Sequence, residues 1–207
     1  MSHCSGIAPN DVGLILAPPA TRRIYSTAAF QVLADHLQAA TGFAFRDYLH
    51  AALFEPLGMF HSDLVGAPGA GGVSTVEDLT AFAAELLAPV LISEETQRRA
   101  TTVAFPGLAG VLPGFGRQAS CDFGLGFEIK DHKSPHWTGA RNSRATFGHF
   151  GQSGTFLWVD PDASLALCLL SDRPFGDWAR AAWPPLADEV IATYPGTATA
   201  GAATLPG

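Results

Sequence analysis

The stretch TFGHFGQSGTFLWVDPDASLALCLLS, residues 146–171, sets the architecture. Thr155–Asp160 and Ser164–Ser171 are short apolar runs of strand length, rich in aromatic and β-branched or aliphatic residues. Asp160-Pro161-Asp162-Ala163 between them supplies turn chemistry, so the two runs form an antiparallel hairpin. Thr146–His149, just upstream, is a third and shorter strand. Leu125, Phe127 and Ile129 alternate with small or polar residues, as on a half-buried strand. Residues 131–145 are polar and irregular.

Upstream of this β region the pattern turns helical. Residues 7–24, with Pro18-Pro19, form an extended connection. Ser26 or Thr27 caps a helix carrying Phe30, Leu33, Ala34 and Leu37, which Gly42 stops. A second helix covers 45–53 and is broken by the segment from Phe54 to Met59. Ser74-x-x-Glu77 and Thr75-x-x-Asp78 both match a capping box, and one of them starts a helix with Leu79, Phe82, Ala83 and Leu86 inward. Ser93 caps a short helix to Ala100, and 103–123 reads as loop. Residues 177–193 read as a closing helix interrupted at Pro184-Pro185. Helices first and antiparallel strands later predict an α+β fold, with one domain over 1–194 and a disordered tail at 195–207.

Composition excludes several functions. Of the 207 residues, 47% are hydrophobic and 15% charged, which is unlike a disordered polyelectrolyte. A net charge of −7 with no basic run argues against nucleic acid as a partner. No apolar run is long enough for a membrane span. The first residues lack a signal peptide's charged and apolar regions, so the expected compartment is the cytoplasm. Cys4, Cys121 and Cys168 are odd in number and widely spaced, as suits buried thiols. His36, His50 and His61 are too far apart for helical pairing, and His132 and His136 lie in a loop, so surface histidines are expected rather than a metal site. Gly148, Gly151 and Gly154 recur every three residues, but no Gly-Lys-Ser/Thr follows them. Gly151-Gln152-Ser153-Gly154-Thr155 lacks the last glycine of a nucleophile elbow, and a strand follows where a helix is needed.

Six segments in order resemble the serine β-lactamase and penicillin-binding-protein-like hydrolases, in the branch holding class C β-lactamases, D-peptidases and esterases. His3-Cys4-Ser5-Gly6 is similar to the family's His-x-Ser-Gly. Tyr25-Ser26-Thr27 stands where the family has Tyr-x-Asn, with Thr replacing the amide. Phe54 to Met59 resembles Glu-Pro-Leu-Gly-Met, and Gly71 to Leu79 resembles the Gly-Gly-Leu-x-Ser-Thr-x-x-Asp-Leu helix start. Gly148-His149-Phe150-Gly151 is similar to the His-x-Gly variant of Lys-Thr-Gly. Asp160-Pro161 and the apolar strand after it complete the set.

The resemblance implies acyl transfer through a serine ester on a small ester, amide or β-lactam, with no cofactor and no metal. It implies that Tyr25 moves the proton and that His149 and Gly151 line the strand side. Thr27 and Ser153 lie with the substrate, and the Gln152 N–H serves as an oxyanion donor. The family's nucleophile is a Ser-x-x-Lys pair. This chain has two lysines, Lys130 and Lys133, with Phe127 and Lys130 three residues before them, so the pair is absent. The resemblance therefore implies a partial fold, lacking the N-terminal strands and the nucleophile helix, and an inactive chain as written. A binding module that keeps the pocket is the alternative. The strand at Ser164–Ser171 would then be an uncharged apolar edge and a route to self-association.

Overall fold

The computed structural model describes residues 2–195. All of the expected tail except Pro195 lies outside the described residues. The centre is a four-stranded antiparallel sheet in the order β5 (Glu128–Ile129), β6 (Phe147–Gly151), β7 (Thr155–Asp160), β8 (Leu165–Leu169). The hairpin is therefore β7–β8, with Trp158 opposite Leu167. Its turn is fixed by the first residue: the Asp160 carboxylate accepts the Ala163 N–H at 3.2 Å. The same carboxylate accepts from Thr146 Oγ1 at 2.8 Å and Ser143 N–H at 2.6 Å, tying the 139–146 loop to the sheet. Burial opposes ionisation there, yet these hydrogen bonds hold the Asp160 acid below its ordinary range.

Helices cover both faces. Strand alternation sends Phe156 and Trp158 of β7 to one side, with Phe150 of β6. They meet Ala179, Trp183 and Ala187 of helix α6 (Asp177–Thr193). Phe147 and Val159 face the other way, onto Leu86 and Phe82 of helix α4 (Val76–Leu87). Complete burial of side chains such as Phe156 and Val159 contributes about 1.5–3 kcal/mol each. β8 pairs with β7 alone, so its other side is a sheet edge among the described residues.

The remaining elements are short. Helix α1 (Ala28–Thr41) starts where Ser26 Oγ accepts the Ala29 N–H at 3.0 Å, and ends at Gly42 with φ +77°. Of the two capping boxes, Thr75 is the one used: its Oγ1 accepts the Asp78 N–H at 3.2 Å. Asp78 turns elsewhere, accepting from the His61 N–H and Ser62 Oγ at 2.8 and 2.7 Å and fixing the chain after Met59 against α4. Helix α5 (Glu94–Ala100) is capped by Ser93. Two-residue strands β1 (Asp63–Leu64) and β2 (Gly72–Val73) pair antiparallel.

Four expectations change. The second helix does not break at Phe54. It runs as α2 (Phe45–Leu49), a π-helical turn (His50–Phe54) and α3 (Glu55–Leu57), stopping at Gly58 with φ +69°. Pro56 lies inside this continuous run, directly after the π-helical turn, where the backbone bonding already departs from the α pattern. The 103–123 loop contains a small hairpin, β3 (Gly110–Leu112) with β4 (Gly116–Gln118). The strand expected from Leu125 is two residues long, and Leu125 is exposed. Helix α6 continues through Pro184-Pro185, because buried Trp183 and Ala187 hold both halves against the sheet.

Candidate active site

Two distant segments meet beside the sheet. Tyr25 lies just ahead of α1, and His149 is the middle residue of β6, opposite Leu157 of β7. Tyr25 Oη and His149 Nε2 are 3.3 Å apart. His149 Nδ1 lies 2.9 Å from the Phe150 carbonyl, which can only accept, so Nδ1 carries the ring proton. Nε2 is then the acceptor and the Tyr25 hydroxyl donates to it. Burial pushes the Tyr25 phenol up to about 12 and lowers the basicity of His149. The proton between them therefore belongs to the phenol.

A second buried ring holds Tyr25 in place. His3 stacks on it with centroids 4.4 Å apart and an interplanar angle of 22°. His3 Nδ1 accepts the Ser26 N–H at 3.1 Å, which leaves the proton on Nε2. That N–H has no partner among the described residues. Burial first, then His149, lowers the His3 pKa to about 3.

The pair opens into a groove of about 570 Å³ whose walls include Thr27, Leu79, Gln152, Ser153, Leu157 and Leu170. The six residues named from the sequence, Tyr25, Thr27, His149, Gly151, Gln152 and Ser153, all line it. The turn that carries Gln152 is tightly packed: at Gly154, with φ +82°, a Cβ would lie 1.9 Å from the Arg173 carbonyl. The Gln152 carbonyl accepts the Phe175 N–H at 3.0 Å. Its own N–H has no partner among the described residues. Ser153 Oγ bonds Thr155 Oγ1 at 3.0 Å. Close backbone approach also matters at Gly148, where a Cβ would meet the Leu157 carbonyl at 2.2 Å.

Behind the groove lies a charged cluster that the sequence did not suggest. The Glu128 carboxylate is buried and takes Lys133 Nζ at 2.6 Å and His136 Nε2 at 2.9 Å, together with the Trp137 indole N–H. Lys133 also donates to the Asp122 carbonyl at 2.8 Å. His136 Nδ1 accepts the Thr138 N–H, which puts the donor proton on Nε2. Burial alone would raise the Glu128 acid, but His136 and Lys133 overcome it and hold the group at about 2. Glu128 shares a narrow gap with Tyr25 and His149. His136 is thus not the surface histidine expected from its loop. Its interior place could be read only from the apolar Trp137 beside it. Cys4 and Cys121 are buried and Cys168 half-buried, all as free thiols.

The Beta-lactamase family model matches residues 1–192. The chain belongs to the beta-lactamase family. Among solved structures, a beta-lactamase from Mycobacterium bovis is 54% identical, with a TM-score of 0.91, over 93% of this chain and 72% of that one. The simvastatin synthase LovD from Aspergillus terreus has a TM-score of 0.71 at 16% identity, over 93% of this chain and 66% of that one. The octameric penicillin-binding protein homologue from Pyrococcus abyssi has a TM-score of 0.65 at 16% identity, over 93% and 58%. These last two show the shared fold. No curated protein matches the chain. Among the described residues, no helix of this family member is long and apolar enough to cross a membrane.

Proposed function

We propose that this beta-lactamase-family chain forms the Tyr and strand side of an acyl-transfer site acting on a small ester, amide or β-lactam. The Tyr25–His149 hydrogen bond at the mouth of the groove carries this reading. None of the 207 residues forms a Ser-x-x-Lys pair, so the nucleophile must come from a segment outside them. With a serine supplied, its Oγ attacks the substrate carbonyl carbon, and its proton passes to the paired amine. The unengaged Gln152 N–H faces the developing oxyanion, a contact worth about 2.7–4 kcal/mol in other acyl-transfer sites. Tyr25 then gives its proton to the leaving group as the carbon–heteroatom bond breaks. Water then attacks the serine ester as its proton passes to the Tyr25 phenolate, and the ammonium returns a proton to the serine oxygen as the ester bond breaks and the acid leaves. The phenol is a poor proton donor by itself, being raised to about 12. An ammonium beside it would lower that value, which is the role of the incoming lysine. His149 Nε2 holds the Tyr25 hydroxyl in place in the free groove, and the O–H turns from it to the leaving group when the proton is delivered.

The missing nucleophile favours a second reading, in which the chain binds ligand in the groove without turnover. Intact-mass labelling with a fluorophosphonate separates the two. The chain alone should stay unlabelled. The chain with a Ser-x-x-Lys-bearing segment fused ahead of residue 2 should gain one adduct on that serine. Tyr25→Phe in the fused protein should slow labelling by about 10²–10⁴-fold, the usual range for a lost proton-transfer group. A correctly folded fusion that never labels overturns the acyl-transfer reading.

A further inference from the structure

A second groove of about 580 Å³ begins on the other side of Tyr25 and Pro113, which line both spaces. Its size is that of a small-molecule site, roughly 300–1,000 Å³. Its wall is mostly apolar and includes the exposed side chains of Leu16 and Val111. No acidic residue lines it, but Arg22, Arg23 and Arg117 do. This is a concentration of positive charge in a chain of net charge −7 with only twelve Lys and Arg.

The three guanidinium groups differ. Arg23 is buried and donates to the Ser2, Ala104 and Phe105 carbonyls, so it is structural. Arg22 reaches the Leu16 carbonyl at 3.1 Å through one nitrogen and stays exposed. Arg117 is exposed and has no hydrogen-bond or ion-pair partner among the described residues. It stands on β4 directly opposite Val111 of β3. Cross-strand partners project from the same face of a hairpin, so an apolar group and a cation stand side by side at the groove.

We propose that this groove is a substrate subsite for an apolar chain ending in a carboxylate, with Arg117 as the main anion contact and Arg22 as the second. The apolar wall takes the hydrocarbon, and the guanidinium offers the two parallel donors a carboxylate accepts. A ligand filling it would reach Tyr25, which places the reacting carbonyl at the Tyr25–His149 pair. Naming the occupant as substrate rests on the acyl-transfer reading. The groove's preference for an anion does not.

Calorimetric titration with octanoate tests the subsite on this chain without any chemistry. Octanoate should bind saturably, and its methyl ester at least about tenfold more weakly, as for loss of a charge-assisted hydrogen bond. Arg117→Ala should weaken octanoate by a similar factor while leaving the methyl ester unchanged, and Arg117→Lys should retain part of the affinity. Octanoate should also slow phenylglyoxal modification of Arg117 but not of Arg98, a readout that self-association of the chain would not abolish. Equal binding of acid and ester, unchanged affinity in Arg117→Ala, or no protection of Arg117 overturns the proposal. Failed fluorophosphonate labelling of the fused protein would leave octanoate binding intact, so the two readings fail separately.

Discussion

Acid should destabilise the fold through His3. This ring is 1% exposed, stacked on Tyr25, and lowered from 6.5 to about 3 by burial and by His149. The folded chain therefore binds fewer protons at this site than the unfolded chain does, and stability rises with pH between the two values. The contribution is complete above 6.5, falls through the window and is fully lost below about 3. The whole interval corresponds to about 5 kcal/mol at 1.36 kcal/mol per pH unit. Taking the chain from about pH 7.5 to about pH 5 should cost ~2 kcal/mol from this ring alone. The assay is urea denaturation at both pH values, at low protein concentration, for the wild type and His3→Asn. The asparagine Oδ1 can still accept the Ser26 N–H but does not titrate. The wild type should lose ~2 kcal/mol more than His3→Asn between the two conditions. Parallel losses in the two proteins would refute the assignment of His3 as a ring buried neutral.

Lys133→Met should cost about 3–5 kcal/mol in urea denaturation, because it leaves the Glu128 carboxylate buried without its ammonium. The double variant Glu128→Leu/Lys133→Met should recover part of that loss, and an equal or larger loss would count against a buried ion pair. Gly154→Ala should destabilise by more than about 1 kcal/mol, since its φ is +82° and the methyl would meet the Arg173 carbonyl. A thermal midpoint within a degree of the wild type would contradict that geometry. The β8 edge should drive self-association, visible as concentration-dependent species in sedimentation velocity, and Leu170→Lys should shift the distribution toward monomer. A wild-type monomer at all concentrations would dismiss the edge as an interaction surface.

The hairpin was readable because two apolar runs and a four-residue turn are local features, and Asp160 fixes its turn with its own side chain. Tyr25 and His149 could be proposed only from resemblance, because no local pattern records that residues 124 apart will share a hydrogen bond. The Glu128 cluster was illegible for another reason. Lys133 and His136 lie in a polar, aperiodic segment, and such segments normally face water. Here three donors converge on one carboxylate and make burial tolerable. Pro184 and Pro185 suggest an interruption because a proline in a helix costs roughly 3 kcal/mol in isolation, whereas the flanking Trp183 and Ala187 gain a fixed place in the core. The β3–β4 hairpin was hidden by the glycines and prolines around it, and each strand is only three residues long.

The separation of Tyr25 from His149 also orders events in time. A chain made from its N-terminus at about 5–20 residues per second presents Tyr25 some 6–25 seconds before its partner is synthesised. During that interval His3, Tyr25 and α1 lack the strands β5 to β8, and the His3 and Tyr25 rings are open to chaperones and proteases. Closing so long a loop costs about 4 kcal/mol of chain entropy beyond the constant for a short one. The site is therefore assembled only after most of the chain exists, and a ribosome stalled before β6 would release a polypeptide with half a groove and nothing to close it.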